Sequence, residues 1–214
     1  LANLEEYLEH APLETVEVSN INSSNTDNNN NVDKVKINDT NSGNVDANSG
    51  KIEKADKKVK ETVIISSPIS GIAADLSTTP DEAFAGRMMG DGAVVTPQDV
   101  IVSAPEDGEV CFVFDTKHAI GFMTDTGISM LIHVGIDTVK LEGKGFECYV
   151  ENGQKVKKGD KMLKLDLDYL KEHAPSIATP VLCTELEDNQ KIRLLRDGSI
   201  KAGEPLFAID TYEE

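Results

Sequence analysis

Two stretches with the same order of turn residues constrain the fold of this chain more than any other feature. Residues 152–166 read NGQKVKKGDKMLKLD, and residues 197–210 read DGSIKAGEPLFAID. Asn-Gly and Asp-Gly favour tight turns in which the backbone adopts positive φ. Each stretch therefore predicts a turn, a short strand, a second turn at glycine and another strand.

A second duplicated motif lies earlier in the chain, where residues 65–71 (ISSPISG) and 102–108 (VSAPEDG) each place a Pro-x-x-Gly turn after a strand end. Short apolar runs separated by Gly, Pro and Asp follow, which is typical of strands. After residue 61, helical turns are predicted only at residues 81–89 and 168–173. We expect an all-β fold, a single antiparallel β-sandwich or barrel-like domain built from duplicated motifs.

The first 61 residues have a different composition. Leu1, Leu4 and Leu8 stand at helical spacing among acidic residues, so residues 1–18 predict a short amphipathic helix, which we interpret as the tail of a preceding domain. Residues 19–61 are rich in Asn, Ser and charged residues and contain no aromatic residue. Because such a segment buries too little apolar surface to offset its chain entropy, it predicts a disordered linker before a folded domain at 62–214.

The charge of the chain limits its partners. The net charge is −17, and residues 61–214 hold 27 acidic and 14 basic side chains, a net of −13. Such a surface repels nucleic acid phosphates and anionic membranes and favours a partner with a basic patch. The three cysteines, Cys111, Cys148 and Cys183, form no close-spaced motif and predict reduced thiols. We expect a cytoplasmic protein that binds no nucleic acid and does not insert into a membrane.

Two histidines, His118 and His133, lie on either side of the turn-like sequence TDTG at 124–127. A hairpin centred between Asp125 and Thr126 would place these histidines directly opposite each other, with Cβ atoms about 4.5–5.5 Å apart. His133 also interrupts an otherwise apolar strand, where a titratable ring indicates a function. The pair predicts a site for a phosphoryl group or a metal ion.

The imidazole ring suits nucleophilic phosphoryl transfer, since one nitrogen is basic near neutral pH while the other can be fixed by a hydrogen bond. The chain contains neither a Walker-type glycine loop nor the kinase signature set. We therefore expect a phosphoryl donor other than a nucleotide.

The sequence around the second histidine, LIHVGIDTVKLEGKGF at 131–146, resembles the signature around the phosphorylated histidine of glucose-type enzyme IIA of the phosphoenolpyruvate-dependent sugar phosphotransferase system. Four further motifs support the resemblance, which covers about residues 62–210. They are TKHA at 116–119, FAGRMMGDG at 84–92, SSPISG at 66–71 and the NGQ turn at 152–160.

The resemblance implies a phosphotransferase that requires no cofactor. His133 would accept the phosphoryl group from the phosphohistidine of the phosphocarrier HPr and pass it to a cysteine of the IIB domain of a glucose-type permease. His118 would steady the phosphoryl group, and Thr116 would orient an imidazole. The carbonyl of Gly135 is the expected hydrogen-bond acceptor for the second nitrogen of His133.

The same resemblance predicts that both partners dock on one apolar patch rimmed by carboxylates. Within this patch, we expect Phe84 and Met88 in particular to be exposed. The predicted docking residues are Phe84, Met88, Phe114, Leu131, Val139, Asp81 and Asp137.

Other functions stay open at this point. A metal-dependent regulatory binding protein would use His118 and His133 as two zinc ligands, completed by a partner's carboxylate. A zinc endopeptidase of duplicated β architecture needs a His-x-His motif, but Gly135 stands two residues after His133. A lipoyl-type carrier needs a lysine at a hairpin tip, which the MLK sequence at 162–164 does not provide.

The chain is either a piece of a multidomain permease, tethered to the membrane by its N-terminal linker, or a free IIA protein with an N-terminal arm. The sequence leaves these two alternatives open. It also leaves open whether regulatory target proteins bind the chain.

Overall fold

The computed structural model describes residues 58–213, so the helix predicted at 1–18 and most of the predicted linker lie outside the described residues. Two α-helices, α1 (Glu82–Ala85) and α2 (Leu167–His173), and two 3-10 helices, η1 (Leu76–Thr78) and η2 (Thr138–Leu141), interrupt the strands. The all-β prediction with short helical turns is confirmed. The strands are β1 (Val59–Ser66), β2 (Gly71–Asp75), β3 (Asp91–Pro97), β4 (Ile101–Ser103), β5 (Gly108–Val113), β6 (Ala119–Thr124), β7 (Ser129–His133), β8 (Phe146–Cys148), β9 (Lys155–Val156), β10 (Lys161–Leu165), β11 (Thr179–Cys183), β12 (Gln190–Leu194), β13 (Gly198–Ile200) and β14 (Pro205–Tyr212).

The strands form three antiparallel sheets. The large sheet has eight strands in the order β13-β2-β3-β11-β7-β6-β5-β9, and two three-stranded sheets have the orders β1-β14-β12 and β4-β10-β8. The hydrophobic core contains residues from all three sheets, among them Ile65 of β1, Leu163 of β10 and Ile132 of β7. The arrangement is a β-sandwich in which the large sheet packs against both small sheets.

The duplicated motifs pair with one another in matching register. In the large sheet, Gly71 of the first Pro-x-x-Gly turn lies opposite Ile200, and Gly108 of the second lies opposite Val156. Ile200 and Val156 hold the same place in the two longer repeats. Each repeat forms the predicted turn, short strand, turn and strand, β9–β10 in one and β13–β14 in the other.

The small sheets follow the same correspondence. Ile65 of β1 lies opposite Phe207 of β14, and Val102 of β4 lies opposite Leu163 of β10. The large sheet divides at its centre, between β11 and β7, into two runs of four strands. Each run starts at an outer edge with the short strand of a longer repeat, β13 or β9, and next to it lies the strand that begins at a Pro-x-x-Gly turn, β2 or β5. The molecule therefore consists of two similar halves: β1–β3 with β11–β14, called the first half below, and β4–β10, called the second half.

The folded domain begins earlier than predicted. Residues 59–61, assigned to the linker from their composition, belong to β1, where Val59 lies opposite Tyr212 and Glu61 lies opposite Thr211. Their side chains are exposed, which explains why composition misplaced the boundary: an edge strand can carry charged residues and still pair through its backbone. Within residues 58–213, none of the helices is long and apolar enough to cross a membrane.

Candidate functional site

The hairpin that carries the two histidines is shifted by one residue from the predicted register. Ala119, rather than His118, lies opposite His133. The loop closes with Thr124 N donating to Ile128 O at 3.0 Å, so the turn contains three residues and is centred on Thr126.

A glycine in the turn accounts for the shift. Gly127 adopts φ of +86°, and its N–H donates to Thr124 O at 2.9 Å. A three-residue hairpin turn commonly ends in a glycine of this conformation. The predicted register was wrong because alternation of residues along a strand does not reveal the length of the turn.

The two imidazole rings nevertheless meet. The ring centroids of His118 and His133 lie 4.8 Å apart, and the planes are nearly perpendicular, at 80°. His118 precedes β6 and follows Lys117, which adopts φ of +57°. Because His118 lies outside the strand, its side chain need not follow the alternating side-chain directions of β6. The backbone still joins the two chain segments, because Val134 N donates to His118 O at 2.7 Å.

The tautomer of His133 follows from its hydrogen bond. Its Nδ1 lies 2.8 Å from the carbonyl oxygen of Gly135. A carbonyl can only accept, so Nδ1 carries the proton and Nε2 keeps its lone pair. Gly135 adopts φ of +76°, a conformation that directs its carbonyl back toward the ring and that favours glycine.

His118 is held by a hydroxyl group instead. Its Nδ1 lies 2.6 Å from Thr116 Oγ1, which can donate or accept. When the hydroxyl donates, Nε2 of His118 carries a proton that is available to a ligand. No buried side-chain nitrogen or oxygen among residues 58–213 lacks a hydrogen-bond partner, and only Nδ1 of each imidazole is bonded, so Nε2 of each ring retains contact with solvent.

Both imidazoles are neutral at physiological pH. Burial lowers the pKa of His133 from its ordinary value of 6.5 to about 4, partly offset by the Gly135 hydrogen bond and by the charges of Asp81 and Asp137. Burial, with the neighbouring His133, lowers the pKa of His118 to about 3. A neutral ring with a free Nε2 is the form in which an imidazole acts as a nucleophile.

Phenylalanine rings extend the histidine pair at both ends. Phe84 lies 5.0 Å from His133 and Phe114 lies 5.1 Å from His118, centroid to centroid, and Phe112 follows 5.2 Å from Phe114. The five rings form a continuous row in the order Phe112, Phe114, His118, His133 and Phe84. These apolar neighbours supply much of the burial that keeps the imidazoles uncharged.

The predicted docking residues separate into exposed and buried groups. Met88 and Val139 are 69% and 49% exposed, Asp137 is also exposed, and Asp81 and Phe114 are partly buried. Asp81 caps α1 by accepting hydrogen bonds from Ala83 N and Phe84 N. Asp137 forms an ion pair with Lys140 at 2.8 Å.

Two predicted docking residues are corrected by the structure. Phe84 is only 7% exposed, because its ring packs against His133 rather than projecting into solvent. Leu131 is completely buried, since β7 lies at the centre of the large sheet and all five of its residues are buried. Apolar residues on both faces of a central strand are common when both faces are covered.

Phe112 and Thr138 also support the site, although neither was among the residues predicted from the sequence. Phe112 alternates with Phe114 and contacts it, a spacing of two that a strand pattern could have revealed. Thr138 is completely buried and donates from Oγ1 to Val134 O at 2.6 Å. The only signal for Thr138 in the sequence was its position within the signature motif at 131–146.

The described part of the chain offers limited metal-binding capacity. Residues 58–213 contain no group of three or more His, Cys, Asp or Glu side chains arranged to hold a metal ion. His118 and His133 supply two imidazoles, whereas zinc in proteins takes at least three protein ligands. A zinc ion here would need its remaining ligands from another molecule, as the intermolecular alternative assumed.

Comparison with known proteins identifies the family of this chain. Residues 63–189 match the family model described as phosphoenolpyruvate-dependent sugar phosphotransferase system, EIIA 1. The chain belongs to this family. The EIIA 1 match includes both histidines, and it makes the chain a phosphocarrier component of sugar transport rather than a zinc endopeptidase.

A solved structure agrees with the EIIA 1 assignment. Glucose permease IIA from Mycoplasma capricolum is 34% identical in sequence and superimposes with a TM-score of 0.65. The match covers 69% of this chain and 96% of that protein. The glucose-type resemblance of the sequence is thereby confirmed.

Proposed function

We propose that Nε2 of His133 accepts a phosphoryl group from the phosphohistidine of HPr and passes it to a cysteine of the IIB domain of a glucose-type permease. The observation that carries this proposal is the hydrogen bond from Nδ1 of His133 to Gly135 O at 2.8 Å. It fixes the tautomer in which Nε2 is the nucleophile.

The arrangement suits the first step of the transfer, from HPr to His133. The lone pair of Nε2 forms the new N–P bond as the N–P bond in the donor breaks, and the donor imidazole departs with that electron pair. The Nδ1–H bond to Gly135 O stabilises the positive charge that develops on the attacking ring. Catalysis of phosphoryl transfer consists mostly of such positioning and charge stabilisation.

His118 acts on the phosphoryl oxygens. In this proposal Thr116 is the donor in its hydrogen bond to Nδ1 of His118, which leaves the proton on Nε2 of His118 to form a hydrogen bond with the phosphoryl group. Because the ring packs between Phe114 and His133, this donor is held in place before the partner arrives. Thr116 is therefore a positioning residue for His118.

The surface around the histidines fits two successive partners. Met88 and Val139 present exposed apolar side chains, and Asp81 and Asp137 supply negative charge near His133. An apolar patch with carboxylates favours partners that carry apolar and basic residues. HPr and the IIB domain would occupy this surface in turn, in the cytoplasm.

Phosphorylation of a His133→Ala variant tests the proposal. The wild-type chain, incubated with phosphoenolpyruvate, enzyme I and HPr, is expected to gain one acid-labile phosphate by intact mass spectrometry, and the variant none. His173→Ala is the control, because His173 is exposed and stacks on Tyr169 outside the row of rings. Labelling of the His133 variant at the wild-type rate would defeat the assignment.

A further inference from the structure

The short segment after His133 depends on Gly135 for its backbone conformation. The peptides on either side of this glycine keep their orientation only if other residues hold them. Gly135 adopts φ of +76° and contributes the carbonyl that fixes the His133 tautomer. A glycine peptide rotates more easily than that of any other residue. Without further contacts, the Gly135 carbonyl could turn away and leave Nδ1 without its acceptor.

One of the two peptides around Gly135 is held by the backbone. Ile136 N donates to Ser176 O at 2.8 Å. The N–H of Ile136 and the carbonyl of Gly135 belong to the same planar peptide and point in opposite directions. Ser176 therefore restrains the direction of the carbonyl that His133 uses.

The other peptide is held by a side chain. Thr138 Oγ1 donates to Val134 O at 2.6 Å, which anchors the peptide between Val134 and Gly135. The methyl group of Thr138 packs against the same glycine, since a Cβ atom built on Gly135 would lie 2.5 Å from Thr138 Cγ2. Thr138 has no exposed surface, so it cannot contact a docked partner.

We infer that Thr138 is a positioning residue for phosphoryl transfer: its hydroxyl group locks the glycine turn and so holds His133 in the tautomer with a free Nε2. The inference deepens the proposed function and rests on it for its effect on rate. Its effect on the tautomer concerns the unphosphorylated protein alone.

Three variants separate this role from general stability. Thr138→Val keeps the shape and loses the hydroxyl, while Thr138→Ser keeps the hydroxyl and loses the methyl. Thr124→Val is the matched control. Thr124 is also buried and its Oγ1 accepts from Ile128 N, but it lies at the opposite end of β6 from the histidines.

Two measurements are made on each variant. Nitrogen-15 NMR of the imidazoles is expected to show one His133 tautomer, protonated at Nδ1, in the wild type, Thr138→Ser and Thr124→Val, and a mixture in Thr138→Val. In phosphorylation by phospho-HPr, Thr138→Val is expected to lower kcat about three- to tenfold, the value of one hydrogen bond. KM should not change, because the buried Thr138 does not face the partner.

Several outcomes would overturn the inference. A wild-type tautomer and kcat in Thr138→Val would do so, and so would equal losses in Thr138→Val and Thr124→Val. Failure of the proposed function is recognised separately. If the wild-type His133 takes no label while NMR still shows the tautomer shift in Thr138→Val, the phosphorylation site is wrong and the positioning role of Thr138 stands.

Discussion

The two halves of the molecule share one framework, but only the second half carries the histidines. In both halves a Pro-x-x-Gly turn pairs with a strand of the longer repeat in the same register, Gly71 with Ile200 and Gly108 with Val156. The histidine pair lies at the open end of the inner hairpin of the second half, β6–β7. Framework and chemistry therefore reside in different parts of the sequence: the repeated turns build the sandwich, and the strand ends at 116–118 and 133–138 build the site.

Even equivalent residues of the two repeats have acquired different contacts. Asp166 and Asp210 end the two longer repeats. Asp166 caps α2 by accepting from Tyr169 N at 3.0 Å, whereas the buried Asp210 accepts from Arg193 at 2.6 Å and from Thr62 at 2.7 Å. The helix α2 follows only the second-half repeat, so a shared framework still permits local specialisation.

The largest effect is expected from His118→Gln, which should change the chemistry of the second half and leave the shared framework intact. The glutamine amide can still donate a hydrogen bond, so His133 should accept phosphate. Without the rigid ring between Phe114 and His133, onward transfer to IIB should fall about 10²–10³-fold, as when one preorganised donor is lost. A rapid-quench assay of transfer measures this, and normal onward transfer would remove His118 from the mechanism.

Acid should destabilise the two halves unequally. The pKa values of His133 and His118 are lowered to about 4 and about 3, so near pH 6.5 the unfolded chain binds protons that the folded chain does not. The free energy of unfolding should therefore fall as pH drops below 6.5, by up to about 1.4 kcal/mol per pH unit for each histidine. Hydrogen exchange at pH 5 should show weaker protection in β6–β7 than in β2–β3.

The control for this acid effect is a double variant, His118→Gln with His133→Gln. It lacks both imidazoles and should lose less stability over the same pH range. An equal loss in the wild type and the double variant would assign the acid sensitivity to other groups.

Alanine at Gly71 or Gly108 should damage the two halves equally. A Cβ atom would lie 2.1 Å from Thr96 O at Gly71 and 2.2 Å from Met123 O at Gly108, so neither turn has room for a side chain. Each substitution should cost about 1–3 kcal/mol, the usual cost of overpacking, in urea unfolding.

Gly153→Asn serves as the control for these two variants, because the position is open and asparagine tolerates its positive φ. It should change stability little. Costs at Gly71 and Gly108 that differ by more than about 1 kcal/mol would show that the halves do not share one framework.

The smallest effects concern the two equivalent aspartates. Asp166→Ala should cost about 1 kcal/mol by removal of the α2 cap. Asp210→Ala should cost at least as much, since it leaves both Arg193 and Thr62 without their acceptor. Asp168→Ala, in the first turn of the same helix but not at the N-cap position, should change thermal stability by a few tenths of a kcal/mol at most. A cost at Asp168 that equals the cost at Asp166 would contradict the capping role.

The sequence revealed the framework because turn residues report directly on backbone conformation. The glycines at 153, 159, 198 and 203 all adopt the positive φ that the repeated turns predict. The resemblance around residues 131–146 likewise identified the family, which the comparisons confirm.

Register and exposure were harder to predict, for physical reasons. One additional turn residue moves every pairing in a hairpin, and the single local signal, Gly127, does not by itself fix the number of residues between Thr124 and Ile128. The burial of Leu131 depends on what covers the large sheet, and the burial of Phe84 depends on its contact with His133, which is distant in sequence. The contact of Thr138 was hidden for a different reason, because its hydroxyl donates to the backbone carbonyl of Val134, which no side-chain pattern in the sequence marks.

The row of five rings also gives this molecule an intrinsic spectroscopic probe. The chain contains no tryptophan, and the imidazoles of His118 and His133 each lie within about 5 Å of a phenylalanine ring, centroid to centroid. Ring currents in Phe84 and Phe114 will shift the resonances of the histidine protons, and a charge or phosphorus atom added to either imidazole will in turn shift the phenylalanine signals. Occupancy of the carrier can therefore be followed by one-dimensional proton spectra during turnover, without an introduced label.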